Sequence, residues 1–96
     1  MARPKKLSDA ELAEGLKALP AWRVEGGQLR RTVEARSFWG AIALVNQVAE
    51  HAERLDHHPD IAIAYRKVSF GLETHDVGGL SALDLELARR IDALVV

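Results

Sequence analysis

The chain has 96 residues, 48% apolar and 28% charged, with a formal net charge of −1 and no cysteine. A chain of this size makes one small domain with one modest core, burying roughly 60–65% of its unfolded surface. The composition lacks the basic footprint of a nucleic-acid binder. It excludes disulfides, thiolate nucleophiles and cysteine-based zinc, and no apolar run approaches the ~20 residues that span a bilayer.

The opening "MARPKK" is basic and no apolar stretch follows it, so it does not read as a secretory signal. A single cytoplasmic domain over residues 1–96 is expected, with residues 1–6 as a frayed tail. "SDAE" at 8–11 fits a capping box, with Ser8 as cap and Glu11 reaching back. Leu12, Leu16 and Leu19 then share a helical face, and Pro20 is expected to end the helix. "AWRVEGGQLRRTVEA" predicts a hairpin: Trp22 and Val24 alternate on one arm, Leu29, Arg31, Val33 and Ala35 on the other. Gly26-Gly27 supplies the positive φ that a tight turn requires. Ser37 opens a long helix. Phe38, Ala41, Ile42, Val45, Val48, Ala49, Ala52 and Leu55 form its apolar stripe, and Pro59 sets its limit.

Ile61, Ile63 and Tyr65 alternate as a third strand, and Val68, Phe70, Leu72 and Thr74 as a fourth, with Arg66-Lys67 as the expected turn. Gly78-Gly79 is a loop without the context of a phosphate-binding loop. Ser81 and Asp84 make a second capping-box-like start, and Leu83, Leu87, Ile91 and Leu94 stripe the last helix. The order α-β-β-α-β-β-α predicts an α+β fold, a four-stranded antiparallel sheet with helices packed on one face. Trp22 and Phe38 are expected in the core or a pocket wall, Tyr65 in either, and His51 at the surface.

The stretch "LDHHPD" at 55–60 places two histidines together before a proline. Glu53 and His57 are four apart and share a helix face. The helix dipole and Glu53 both favour a protonated His57. His58 precedes Pro59 and is pushed toward extended geometry, so the two rings should diverge. Two cationic rings this close repel, which favours one protonated and one neutral imidazole, an acid and a base in one place. His75 follows the fourth strand. The 61–74 hairpin returns its end to its start, so His75 should lie near His57 and His58. Three imidazoles can also hold zinc, but adjacent rings that diverge are poor ligands for one ion, and no metal is expected.

These residues resemble the pterin-4a-carbinolamine dehydratase family. The likeness is carried by Glu53, His57, His58, Pro59, Tyr65, Val68, Thr74, His75, Gly79, Leu80 and Ser81, with the early "LPAW" and the hairpin after it. It implies the same fold and a hydro-lyase reaction: water is lost across C4a and N5 of a 4a-hydroxytetrahydropterin to give quinonoid dihydropterin, in tetrahydrobiopterin recycling. No metal or redox cofactor is needed, and histidines near pKa 6.5 can move both protons. By the resemblance, His57 and His75 carry proton transfer and His58 binds and orients the pterin while sharing the chemistry. Glu53 tunes His57, and Pro59, Thr74 and Asp84 bind or support. Some relatives have Trp where this chain has Ile61, which thins one wall of the site.

Val68–Thr74 carries one charge, Glu73, and is expected to be a poorly guarded sheet edge. Ala35, Ala43 and Leu44 are expected to add apolar surface beside helix two. The resemblance implies edge-to-edge dimers that pack through helices into a homotetramer, with a homodimer as the fallback. The competing class is an interaction or assembly factor of the same fold, acting through helix two. Retention of all three histidines argues for an enzyme.

Overall fold

The computed structural model describes residues 4–95. Residues 1–3 of the expected tail lie outside the described residues. Helix α1 is Asp9–Leu16, strand β1 Arg23–Glu25, β2 Gln28–Glu34, helix α2 Phe38–Leu55, β3 Asp60–Ala64, β4 Lys67–Leu72 and α3 Ala82–Leu94, with a 3-10 turn at His75–Val77. All strands pair antiparallel in the order β1-β2-β4-β3. Alternation assigns the sheet faces: Leu29 and Val33 of β2 with Val68, Phe70 and Leu72 of β4 meet Leu44 and Val48 of α2 and Leu87 and Ile91 of α3 in one core. Among the described residues no helix covers the other sheet face.

Both capping boxes form. Ser8 accepts from the Glu11 amide and Ser81 opens α3, each with the reciprocal acidic bond. Gly26 and Gly27 have φ of 61° and 78° and close the β1–β2 hairpin. Arg31, on the inner face of β2, is matched by Asp92 near the end of α3, which also accepts from the Trp22 indole N–H at 2.8 Å.

Several expectations are corrected. Helix α1 stops at Leu16, and Leu19 reaches the core from a following turn whose amide bonds to the Leu16 carbonyl. The residue before Pro20 is disfavoured in a helix, so the last turn unwinds early. The β3–β4 turn is Tyr65-Arg66, not Arg66-Lys67, because Ala64 pairs with Lys67. That register keeps Val68, Phe70 and Leu72 facing the core, at the expense of a positive φ of 55° at Tyr65, which is exposed.

The buried line of α2 is Ala41, Leu44, Val48 and Ala52. Phe38 is half exposed rather than core or pocket wall, and Leu44 belongs to the core rather than to a spare face. A charge at Leu44 would therefore disrupt the core and could not report on an interface. Ala35, too, packs against the core. Strand β4 is central, since β2 covers one side and β3 the other. The edges are β1 and β3, and β3, "DIAIA", has only Asp60 as a charge.

Candidate active site

The site grows from the end of α2. Asp56, just past the last helical residue, adopts left-handed backbone (φ 49°, ψ 46°), and its N–H bonds back to Ala52 and Glu53. A short polar side chain tolerates this conformation better than most. The turn sends His57 inward, where it is 9% exposed, and leaves His58 outside. Pro59 then commits the chain to β3. The divergence expected of adjacent rings is realised by this one residue.

Each ring meets a different carboxylate. His57 Nε2 lies 2.6 Å from Asp84 Oδ1. Asp84, fully buried, accepts at Oδ2 from the Thr74 hydroxyl at 2.8 Å and the Ser81 amide at 2.9 Å. A carboxylate with two donors on one oxygen takes a third on the other, so the His57 Nε2 proton faces Asp84. Nδ1 of His57 has no hydrogen bond within the described residues, yet no buried side-chain nitrogen or oxygen there lacks a partner. Nδ1 is therefore not sealed in the core, and His57 lines the cavity. His58 Nε2 lies 2.6 Å from Glu53 Oε2, with both side chains exposed.

Glu53 thus pairs with His58 and not with His57, against expectation. The i,i+4 relation holds only while the helix continues, and α2 ends at Leu55.

His75 opens the 3-10 turn after β4. Thr74 is buried beside it. Its amide bonds to the Gly79 carbonyl, and its hydroxyl bridges Ser81 and Asp84. Thr74 therefore ties the end of the sheet to the start of α3. His57, His58, Thr74 and His75 line one cavity of about 710 Å³, within the usual range for small-molecule sites. Asp84 stands behind His57, Glu53 stands beside His58, and Pro59 is off the wall. Pro4 reaches the cavity, and the Lys6 chain lies over Gly79, where a Cβ would come within 2.8 Å of it.

The sequence gives no site role to Glu73, Glu86 and Arg89, which also line the cavity. Hydrogen bonds from Arg90 and Arg89 hold the Glu86 carboxyl below the usual carboxylate range, so it stays anionic at the rim. Their signal was weak, because charges on a helix face or at a strand end read as solvated surface. Among the described residues no group of three or more His, Asp or Glu is arranged to hold a metal ion. No described helix is long and apolar enough to cross a membrane.

Chemically, the arrangement offers three imidazoles from two chain segments at one cavity, each near a carboxylate. That constellation suits proton transfer to and from a bound molecule.

The family model described as pterin 4 alpha carbinolamine dehydratase matches residues 5–94. A Nocardia farcinica protein named for that dehydratase is 54% identical, over 92% of this chain and 93% of its own. A Roseiflexus protein of the same name is 48% identical over 94% and 97%. A crystal structure from Brucella melitensis, described as a transcriptional coactivator/pterin dehydratase, superposes with a TM-score of 0.91 at 34% identity, covering 96% of this chain and all of that one. With the matching fold, the similarity spans nearly every described residue, and the chain belongs to the pterin 4 alpha carbinolamine dehydratase family.

Proposed function

We propose that this protein dehydrates a 4a-hydroxytetrahydropterin to quinonoid dihydropterin, with His57 and His75 moving protons and His58 orienting the pterin. The observation that carries this reading is the convergence of the three histidines on one cavity. The C4a–O bond breaks as an imidazolium protonates the leaving hydroxyl, which departs as water. The N5–H bond gives its proton to a neutral imidazole, and its electrons form the C4a–N5 double bond. Atoms balance with no oxidant or reductant, so acid–base groups suffice. Asp84 holds His57, Glu53 holds His58, and Thr74 fixes the wall between them. The setting is cytoplasmic recycling of tetrahydrobiopterin after aromatic amino-acid hydroxylation. The test is the rate at which the protein accelerates dehydration of freshly generated carbinolamine.

A homotetramer, or failing that a homodimer, completes the proposal. The free edge is β3, where Ile63 is 38% exposed beside a row of alanines. Light scattering at micromolar concentration should give a multiple of 10.6 kDa, and Ile63→Lys should reduce it. A 10.6 kDa monomer would contradict the proposal.

A second reading has its own observation. Trp39 is 82% exposed and Phe38 50% exposed at the start of α2, a surface suited to a protein partner. The Brucella melitensis protein's description pairs coactivator with dehydratase. An interaction or assembly role through helix two is therefore the alternative. It predicts a folded chain with no effect on the dehydration rate.

A further inference from the structure

Two of the cavity histidines are held by carboxylates already described, Asp84 for His57 and Glu53 for His58. The third pair is Glu73 with His75. Glu73 Oε1 lies 3.6 Å from His75 Nε2, and Glu73 lines the same cavity. The distance is just beyond a hydrogen bond, and catalytic contacts in an unliganded site are commonly long and tighten on binding. His75 is the ring that needs such help: it stands on a three-residue turn, its side chain is 82% exposed, and Glu73 is its one polar side-chain partner among the described residues.

Glu73 is itself braced from the far face of the sheet. The Gln28 amide nitrogen donates to Glu73 Oε1 at 3.3 Å and to Asp60 Oδ2 at 2.8 Å. The Gln28 amide oxygen accepts from Arg30 Nη1 at 2.6 Å. With both faces of the amide used, its orientation is fixed and joins β2, β3 and the end of β4. Gly71 makes room for this. A Cβ there would fall 2.6 Å from Gln28 Oε1 and 3.0 Å from Arg30 Nη1.

We propose that Glu73 is the positioning residue of His75, held in place by Gln28, so that the helix-free face of the sheet sets the geometry of one proton-transfer group. This rests on the dehydratase reading. Glu73 need not touch the substrate. It restricts the ring of His75 to orientations that face the cavity.

The test is a double-mutant cycle in the dehydration assay, using Glu73→Gln, His75→Ala and the pair. Glu73→Gln is isosteric and half-exposed, so it should fold, with an unchanged urea midpoint as the check. It should lower kcat roughly two- to tenfold and leave KM within about twofold. In the His75→Ala background the same substitution should change kcat by less than about 1.5-fold. Gln28→Ala, outside the cavity, should lower kcat in the same direction by a smaller factor.

An undiminished kcat in Glu73→Gln, a loss expressed in KM, or an equal loss without His75 would each overturn the proposal. So would Gln28→Ala with unaltered kcat, which would remove the bracing. Failure of the wild type to accelerate dehydration at all would instead overturn the dehydratase reading, and this inference with it.

Discussion

Replacing His57 or His75 by alanine should slow dehydration by roughly 10²–10⁴, the usual worth of a positioned proton-transfer group. The two variants should differ in stability although they agree in rate. His75 is exposed and its contact with Glu73 is long, so His75→Ala should leave the urea midpoint nearly unmoved. His57 is buried against Asp84 at 2.6 Å, so its removal strips a buried carboxylate oxygen of its donor, which costs about 1–3 kcal/mol. Rates must therefore be compared where His57→Ala is still folded. The double variant should lose less than the product of the two single losses, because each group is useful only when the other has done its part. Among the described residues the His51 side chain has one hydrogen-bond partner, Arg90 at 3.4 Å, and His51→Ala should be nearly silent. Full activity in both single variants would refute the acid–base assignment.

The second large effect concerns Asp84. This carboxylate is fully buried, and it is the meeting point of the His57 ring, the Thr74 hydroxyl and the Ser81 amide. It caps α3 and orients the site at once. Asp84→Ala leaves three donors facing a void. Stripping one partner from a buried ionic cluster typically costs 3–5 kcal/mol. A domain of this length holds only about 5–14 kcal/mol in all. The variant should therefore lose from about a fifth to all of its stability in urea unfolding, and activity should fall with it. Asp84→Asn keeps the volume but turns an N–H toward one of the donors, so it should be milder in stability and still impaired in rate. An Asp84→Ala protein within about 1 kcal/mol of wild type would contradict the packing described here.

Much of the architecture was legible because it is local. The capping boxes at Ser8 and Ser81, the Gly26-Gly27 turn and the alternation of β2 and β4 each rest on a few neighbouring residues. What was not legible depends on non-local pairing. The order of elements does not say which hairpin arm becomes central, and β4, expected at an edge, is central because it pairs with β2 across α2. The α2 stripe was drawn too widely, and Leu44 fell outside it. Only the helix's rotation against β4 and α3 selects Ala41, Leu44, Val48 and Ala52.

The sequence brings the three histidines to one place, as the structure does, but pairs His57 with the wrong carboxylate. Hairpin geometry brought His75 to the same cavity as His57 and His58. The left-handed residue at Asp56 left no sequence signal beyond a short acidic side chain before the histidines. It is this turn that hands His57 to Asp84 and Glu53 to His58. In the sequence Glu73 is a lone charge on a strand, because its partners come from β2 and from the turn after β4.

The central claim is that these histidines make the chain a dehydratase. The most direct measurement follows the disappearance of freshly generated 4a-hydroxytetrahydropterin by absorbance, with and without wild-type protein, in metal-free buffer near neutral pH. The account predicts a first-order rate that rises in proportion to protein concentration above the spontaneous rate and falls back toward it with the His57→Ala/His75→Ala double variant. A folded wild-type protein that leaves the spontaneous rate unchanged would contradict it.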